Sequence, residues 1–193
     1  MITHIEKRGT KTKQRLVEAA LVLFVEKGIA ATTTRDIAQA AEVAEGTIYR
    51  HFESKEALAT EIFIEAFSPY SKFLARVEKG EGTLIEKIEA SASQFYRLFD
   101  ENPLLWIYVM TYQTGEASKA PAGTATPYSV LLSLLKKAAK TGEIKNFDPV
   151  LGVHILLGMI EQPAVGVVYR ELKAPLSPRL PDIMLAIRRV LSL

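Results

Sequence analysis

Apolar residues recur along most of the chain at the spacing of an amphipathic helix. In the first such stretch they stand three and four residues apart, so they share one face of a helix. They are Leu16, Ala19, Ala20, Leu23 and Phe24. Gly28 follows them and predicts the end of that helix, because glycine is favoured directly after a helix. Strand-like alternation with hairpin signals is missing from the sequence, which therefore predicts an all-α fold.

Capping residues and helix breakers divide the rest of the sequence into further helices. Thr32 or Thr33 can cap the second helix, and Ser54 can cap the fourth. The third is expected over Glu45–Phe52. Pro69 is expected to kink or interrupt the fourth helix, because proline has no N–H to donate.

The later helices are bounded by similar signals. Their starts are expected at Thr83, Asn102–Pro103, Thr126–Pro127, Asp148–Pro149, and Pro178 or Pro181. The helix that follows Asp148–Pro149 is expected to reach about Leu172, and Gly142 to end the helix before it. Residues 114–126, rich in small residues and proline, predict a loop.

The composition excludes several classes of site. The chain has 193 residues, of which 48% are hydrophobic, enough for a substantial core. It has no cysteine, which excludes disulfides and thiolate zinc sites. The three histidines are too scattered for a compact metal centre, and neither a nucleophile with a matching base nor a phosphate-binding glycine loop is present. We therefore expect no enzymatic activity, no metal and no cofactor.

Charge is unevenly distributed along the chain. Residues 1–15 contain five basic side chains and one acidic one, although the net charge of the whole chain is only +2. Such an arm either contacts phosphate or is a solvated leader. The most apolar stretch, 150–169, contains Glu161, Gln162 and Pro163, which a bilayer would not solvate. Because an apolar N-terminal leader is also missing, we expect a cytoplasmic protein without a membrane partner.

Residues 32–52 have the layout of a helix-turn-helix. Ile48 and Phe52 lie one turn apart on the third helix and are expected to point into a core shared with the second. The opposite face is formed by Glu45, Gly46, Tyr49 and Arg50. A face of this kind can enter the major groove of DNA. Helical hairpins of this length also occur in proteins that bind no DNA, so the layout alone leaves both functions open.

A longer pattern at fixed spacing surrounds this layout. It includes Glu26-Lys27-Gly28, Arg35-Asp36-Ile37-Ala38, Gly46-Thr47-Ile48-Tyr49-Arg50-His51-Phe52 and Ser54-Lys55-Glu56. With these motifs, residues 15–58 resemble the N-terminal domain of the TetR (tetracycline repressor) family of bacterial regulators. The resemblance implies a basic arm and a three-helix DNA-binding domain over 1–54, followed by a larger helical ligand-binding and dimerisation domain over 55–193.

The resemblance also implies a function. That function is ligand-responsive regulation of transcription, with repression favoured, by a homodimer that binds an inverted-repeat operator in double-stranded DNA. A small-molecule inducer would release the operator. The alternative is a non-catalytic helical carrier of an apolar ligand.

Individual DNA contacts follow from the same resemblance. Backbone contacts are implied for Thr33, Arg35, Tyr49, His51 and Lys55. Contacts with base edges are implied for Thr47 and Arg50. Glu45, beside Gly46, could accept a hydrogen bond from the amino group of cytosine. Two alternatives stay open: Tyr49 could pack on the first helix, and Arg35 could pair with Asp36 or Glu42.

Two positions depart from the family pattern. Glu42 stands in the turn where the family usually has glycine, which adopts a positive φ without steric cost. Ala44 stands where the family usually has a serine or threonine cap for the third helix. We therefore expect a strained turn and a poorly capped helix, with the DNA-facing side chains unaffected.

Candidates for an inducer pocket lie in the remaining helices. They are Phe63, Phe67, Phe95, Trp106, Met110, His154, Glu161 and Gln162. Aromatic residues at helical spacing more commonly pack a core, so both interpretations remain open. Pro163 is expected to bend its helix. The small residues Gly152, Gly158, Ala164 and Gly166, with the amphipathic final helix, resemble the family's dimer interface.

Overall fold

The computed structural model describes residues 11–116, 124–145 and 147–193. These residues form helices, turns and bends without a strand, which confirms the predicted all-α class. The helices are α1 (Lys11–Lys27), α2 (Thr34–Ala40), α3 (Lys55–Lys79), α4 (Leu84–Glu101), α5 (Pro103–Glu116), α6 (Pro127–Thr141), α7 (Pro149–Val168) and α8 (Leu180–Leu191). Two short 3-10 segments are Glu45–Arg50, called the recognition segment below, and Ser177–Arg179.

The predicted caps lie where the helices begin. Thr33 caps α2: its Oγ1 accepts a 3.1 Å hydrogen bond from the Asp36 N–H, and its own N–H donates to the Asp36 carboxylate. Thr32 is instead fully buried and donates to the Gly28 carbonyl at 2.7 Å. Thr126 forms the same reciprocal box at the start of α6. These side chains satisfy backbone groups that have no partner within the helix.

α3 continues through Pro69, so the expected interruption is wrong, while a kink at Pro69 stays a prediction. Two expected helix boundaries are also wrong in detail. α7 ends at Val168, short of Leu172, because Arg170 has a φ of 60° and the Leu172 N–H returns to the Gly166 carbonyl. α5 extends to Glu116, into the loop expected over 114–126, whose residues 117–123 lie outside the described residues.

The chain divides into two compact units. The first extends from the N-terminus to Pro69 and resumes at Asn102, so it contains α1, α2, the recognition segment, the start of α3 and α5. α1 packs against both α2 and α5. Tyr108 of α5 stacks on Phe24 of α1 at 6.0 Å, and its hydroxyl donates to the Ala59 carbonyl of α3 at 2.7 Å. The division therefore differs from the expected boundary at 54/55, because α5 and the start of α3 complete the core around α1.

The second unit runs from Tyr70 to Glu101 and then contains α6 to α8. α6 packs on α7, and α4 packs on α6 and α8. The Asp100 carboxylate accepts three hydrogen bonds of 2.6–2.8 Å from the Leu176 N–H and from the N–H and hydroxyl of Ser177. One carboxylate thus fixes the connection between α7 and α8 to α4.

α7 is the one described helix long and apolar enough to cross a membrane by length and composition. About a third of its apolar window, 33%, is buried in the structure. Its buried side includes Val153, Leu156 and Ile160. The same pattern occurs in core helices of soluble proteins and in membrane spans.

The turn before the recognition segment carries the expected strain. Glu42 has a φ of 52°, in the left-handed region that non-glycine residues avoid. Arg15 of α1 supports this turn, because its guanidinium donates to the Glu42 carboxylate at 3.1 Å and to the Glu42 carbonyl at 3.3 Å. The side chains are 45% and 87% exposed, so the ion pair is weak.

Replacing Glu42 with glycine is expected to raise the free energy of unfolding by about 0.5–1 kcal/mol. Glycine relieves a left-handed conformation that costs about 1–2 kcal/mol, and the lost ion pair contributes at most about 1 kcal/mol. Glu42→Ala is the matched control, since it loses the same ion pair but keeps the strain. Urea unfolding measures both variants. A glycine variant no more stable than the alanine variant would disprove strain at this turn.

Candidate nucleic-acid interface and ligand cavity

The recognition segment is held by an apolar contact on one side. Ile48 is fully buried and Phe52 is 4% exposed, as the helical spacing predicts. The opposite side, formed by Glu45, Gly46, Tyr49 and Arg50, is exposed. Tyr49 is 57% exposed, so its ring does not pack in the core beside α1. Burial on one side thus fixes which side chains face outward.

The segment is shorter and tighter than the expected helix over Glu45–Phe52. It is a 3-10 helix that ends at Arg50, and Ala44 makes no capping hydrogen bond through its side chain. The Thr47 N–H donates to the Ala44 carbonyl at 2.8 Å, which is the shorter hydrogen-bond step of a 3-10 turn. The missing cap noted in the sequence therefore coincides with an atypical helix start.

Thr34 is a residue of this surface that the sequence did not reveal. Its hydroxyl donates to the Glu45 carboxylate at 3.1 Å and lies 3.4 Å from the Tyr49 hydroxyl. It joins the first turn of α2 to two side chains of the recognition segment. Only the packing of the segment against α2 brings these groups together, and sequence spacing carries no signal for that distance.

The side chains at the start of α2 have divided roles. The Thr33 hydroxyl is occupied in the cap, and its hydrogen bonds hold the pKa of Asp36 below its ordinary value. Arg35 is exposed. Its two suggested partners are engaged elsewhere, Asp36 with Thr33 and Glu42 with Arg15. The positive charge of Arg35 also contributes to the lowered pKa of Asp36. Its contact with DNA phosphate stays a prediction.

Lys55 contacts the protein rather than projecting from it. Its Nζ donates to the Thr32 carbonyl at 2.6 Å and lies 3.4 Å from the Ala30 carbonyl. A weaker contact of 3.8 Å joins it to Glu56, and its side chain is 16% exposed. Lys55 thus ties the connection between α1 and α2 to the start of α3. Its contact with DNA phosphate remains a prediction.

The described part of the basic arm is engaged with the first unit. Lys13 forms an ion pair with Glu61 of α3, and its Nζ lies 5.3 Å from the centre of the Phe52 ring. Lys7 and Arg8 lie outside the described residues. His51, the last predicted backbone contact, is half-buried directly after the recognition segment, and Thr47 is also half-buried. Lys13 therefore helps to fix Phe52, behind the exposed face.

A small apolar cavity lies within the second unit. It has a volume of about 30 Å³ and is lined mainly by aliphatic side chains of α4, α6 and α7. Two of the predicted pocket residues, Phe95 and Glu161, line it. Tyr70 also lines it and donates to the Ser91 carbonyl at 3.5 Å. Burial raises the pKa of both the Tyr70 hydroxyl and the Glu161 carboxyl. The cavity therefore pairs an apolar wall with one acidic group.

The other predicted pocket residues do not line this cavity. His154 and Gln162 are exposed on α7, with the His154 ring 5.5 Å from that of Tyr128. Phe63 and Phe67 stack on each other at 5.2 Å in the core of the first unit. Trp106 and Met110 lie on α5 of that unit. Sequence spacing did not separate core aromatic residues from cavity residues.

Comparisons with known proteins agree with the helix-turn-helix geometry. Residues 16–62 match the family model described as bacterial regulatory proteins, tetR family. The HTH-type transcriptional repressor KstR2 of Rhodococcus jostii (strain RHA1) is 38% identical over 98 residues, 49% of this chain and 45% of that relative. DhaR, an HTH-type transcriptional repressor of Mycobacterium sp. (strain GP1), is 39% identical over 66 residues, 34% of this chain and 33% of that relative. The matches thus span less than half the length of these relatives.

Solved structures extend the likeness to nearly the whole chain. The transcriptional regulator FadR from Bacillus subtilis, in complex with stearoyl-CoA, superposes with a TM-score of 0.65 at 21% identity, covering 90% of this chain and 96% of that chain. The fatty acid degradation regulator FadR from Bacillus halodurans gives a TM-score of 0.67 at 17% identity, covering 94% and 96%. At these identities the likeness shows a shared fold.

Proposed function

This chain belongs to the tetR family of bacterial regulatory proteins. We propose that it is a transcriptional repressor that acts in the cytoplasm. It binds an inverted-repeat operator as a homodimer and is released by a small-molecule inducer. The observation that carries the proposal is the recognition segment, whose polar side is exposed while Ile48 and Phe52 are buried behind it. Repressors among the relatives support the same function.

DNA binding divides between two kinds of side chain. Arg50 is exposed on the recognition segment and can donate two hydrogen bonds to guanine, with Thr47 beside it. Tyr49, His51, Thr33, Arg35 and Lys55 are assigned to the sugar–phosphate backbone, which fixes the position of the protein on the duplex. Glu45 opposes the phosphate charge, and Thr34 holds its carboxylate beside α2. Glu45 therefore favours DNA only where a cytosine amino group meets it.

Selection of bound sequences from a random DNA pool is expected to return an inverted repeat. On DNA that lacks this operator, Glu45→Gln should raise the non-specific affinity about three- to tenfold, because a carboxylate near phosphate costs on the order of 1 kcal/mol. If Glu45 accepts from cytosine, the ratio of specific to non-specific affinity should fall. Glu26→Gln, the same change at an exposed site outside the segment, is the control. Unchanged affinities for the Glu45 variant would remove Glu45 from the interface.

An exposed apolar face on α7 supports the homodimer. Leu151 is 58% exposed and Ile155 is 37% exposed, and Gly158 follows on the same side of the helix. A Cβ added at Gly158 would have no described atom within 4 Å, whereas one at Gly152 would clash with the Phe147 ring. Gly152 is therefore explained by packing within the chain. No packing within the described chain explains Gly158. Glycine in a helix interior costs stability, and the close approach of a second backbone would offset that cost.

Gly158→Ala is expected to separate folding from dimerisation. Alanine should stabilise α7 by about 1 kcal/mol through helix propensity, yet its methyl group should weaken the dimer where a second α7 approaches. Sedimentation across a dilution series measures the dimer dissociation constant. The monomer is recognised by the protomer mass of 21.4 kDa. Ser133→Ala, an exposed change on α6, controls for propensity alone. A wild-type monomer, or an unchanged constant in Gly158→Ala, would contradict this interface.

The cavity of the second unit supports an inducer site. At about 30 Å³ it has room for only one or two water molecules, so a larger ligand must separate the helices around it. A ligand shifts an equilibrium only by binding one conformational state more tightly than the other. A ligand that fits only when the helices are separated would bind the separated state more tightly, as an inducer must. α3 contributes residues to both units. We therefore propose that a displacement of α3 couples ligand binding to DNA binding. The stearoyl-CoA in the structural neighbour supports a ligand that contains an apolar chain.

Induction is tested by linkage between the ligand and the operator. Decanol and decylamine, a neutral and a cationic compound with the same alkyl chain, are titrated by calorimetry with and without operator. An inducer should lose affinity in the presence of operator by the same factor by which it weakens operator binding. A compound that binds in the cavity with equal affinity in both titrations is not an inducer. Binding without any specific operator would favour the alternative function, a carrier of apolar ligands.

A further inference from the structure

A second, larger cleft lies within the first unit. It has a volume of about 380 Å³, which is in the range of sites for drug-sized molecules. It is lined by the end of α1, by the start of α3, and by Tyr108, Thr111 and Tyr112 of α5. It shares no lining residue with the cavity described above. It is therefore a separate candidate site.

One wall of the cleft is aromatic and fixed in orientation. Tyr108 is held by its stack on Phe24 and by the hydrogen bond from its hydroxyl to the Ala59 carbonyl. The Tyr112 ring lies 5.6 Å from the Tyr108 ring, and its hydroxyl lies 3.0 Å from Thr60 Oγ1. Because both rings are anchored by hydrogen bonds, they can receive a planar ligand without losing further freedom.

The charge of the lining is negative. Among the described residues that line the cleft, Glu56 is the one that carries a charged side chain, and that side chain is 68% exposed. The neighbouring Lys55 directs its ammonium to the carbonyls of Thr32 and Ala30, with 3.8 Å remaining to Glu56. The Glu56 carboxylate is thus accessible to a ligand that carries positive charge.

We propose that this cleft binds a small aromatic cation, because the anchored rings of Tyr108 and Tyr112 stand beside the accessible carboxylate of Glu56 in one pocket. The ring of the ligand packs against the tyrosine side of the cleft, where Tyr112 is further fixed by its stack on Phe63 at 4.6 Å. The ammonium group of the ligand binds Glu56, and the Thr60 hydroxyl offers an oxygen nearby. A carboxylate ligand of the same shape is repelled.

The cleft borders the connection that leads from α1 into α2. Gly28, Ile29 and Ala30 line its other wall and form the connection from α1 to α2. Lys55 holds this connection through the Ala30 and Thr32 carbonyls, immediately before the cap of α2. A ligand that orders Ala30 therefore orders the start of α2.

The binding test uses three indoles that differ in charge. Tryptamine is cationic, tryptophol is neutral and indole-3-propionate is anionic, and each is titrated into the full chain by calorimetry. Tryptamine is expected to bind most tightly and indole-3-propionate least. Glu56→Gln should weaken tryptamine about fivefold, as expected for an exposed ion pair, and leave tryptophol unchanged. Glu18→Gln, the same substitution at an exposed site on α1, is the control.

A blocking variant tests the location of the site. Thr111 is exposed on α5 and lines the cleft, so Thr111→Trp should abolish tryptamine binding while circular dichroism shows an intact fold. Hydrogen exchange at residues 28–33 should slow when tryptamine binds the wild type. Equal binding of the three indoles, or tryptamine binding that survives both Glu56→Gln and Thr111→Trp, overturns the proposal. No DNA enters these measurements, so their outcome is independent of the repressor function.

Discussion

The candidate DNA-binding surface depends on the burial of Ile48 and Phe52. The recognition segment has six residues and no side-chain cap, so it is too short to be stable by itself. Each buried side chain contributes on the order of 2 kcal/mol by leaving water. Lys13 reinforces the contact from α1, over the Phe52 ring. The orientation of Tyr49 and Arg50 is therefore set by packing rather than by the helix itself.

The tyrosines of α5 show why the first compact unit extends beyond the helix-turn-helix. Tyr108 joins α1 to α3 through a ring stack and a hydrogen bond, so α5 belongs to the same unit although it is distant in sequence. The fixed rings, the connection from α1 to α2 and Lys55 then form one continuous support for α2. The second unit is fixed in a different way, with the Asp100 carboxylate holding the link between α7 and α8.

Most of the fold was predictable because its signals are local. Thr33, Thr126 and Gly142 mark helix ends through hydrogen bonds or backbone angles that involve residues a few positions away. The exposed face of the recognition segment followed from the spacing of its buried residues. The strain at Glu42 was predictable from the family resemblance, because glycine at this position of the family marks a turn with positive φ, in which another residue is strained.

The contacts of the site were less predictable because they depend on distances across the fold. Lys55 was expected to contact DNA phosphate, and nothing in the sequence indicated that its ammonium would also be bound by carbonyls more than twenty residues earlier in the chain. His154 and Glu161 share a face by spacing, yet only Glu161 lines the cavity. Thr34 gave no signal, because its link to Glu45 needs the angle between two helices. Helix periodicity indicates which residues share a face, and tertiary packing decides what that face meets.

The ion pair between Arg15 and Glu42 has a consequence for ionic-strength measurements. Because the pair is electrically neutral, it brings no net positive charge to a duplex even if its guanidinium contacts a phosphate. The number of cations that DNA releases depends on the net charge it receives. A plot of log affinity against log salt would therefore undercount the contacts made from α1, and a footprint of protected phosphates would exceed the number obtained from that slope.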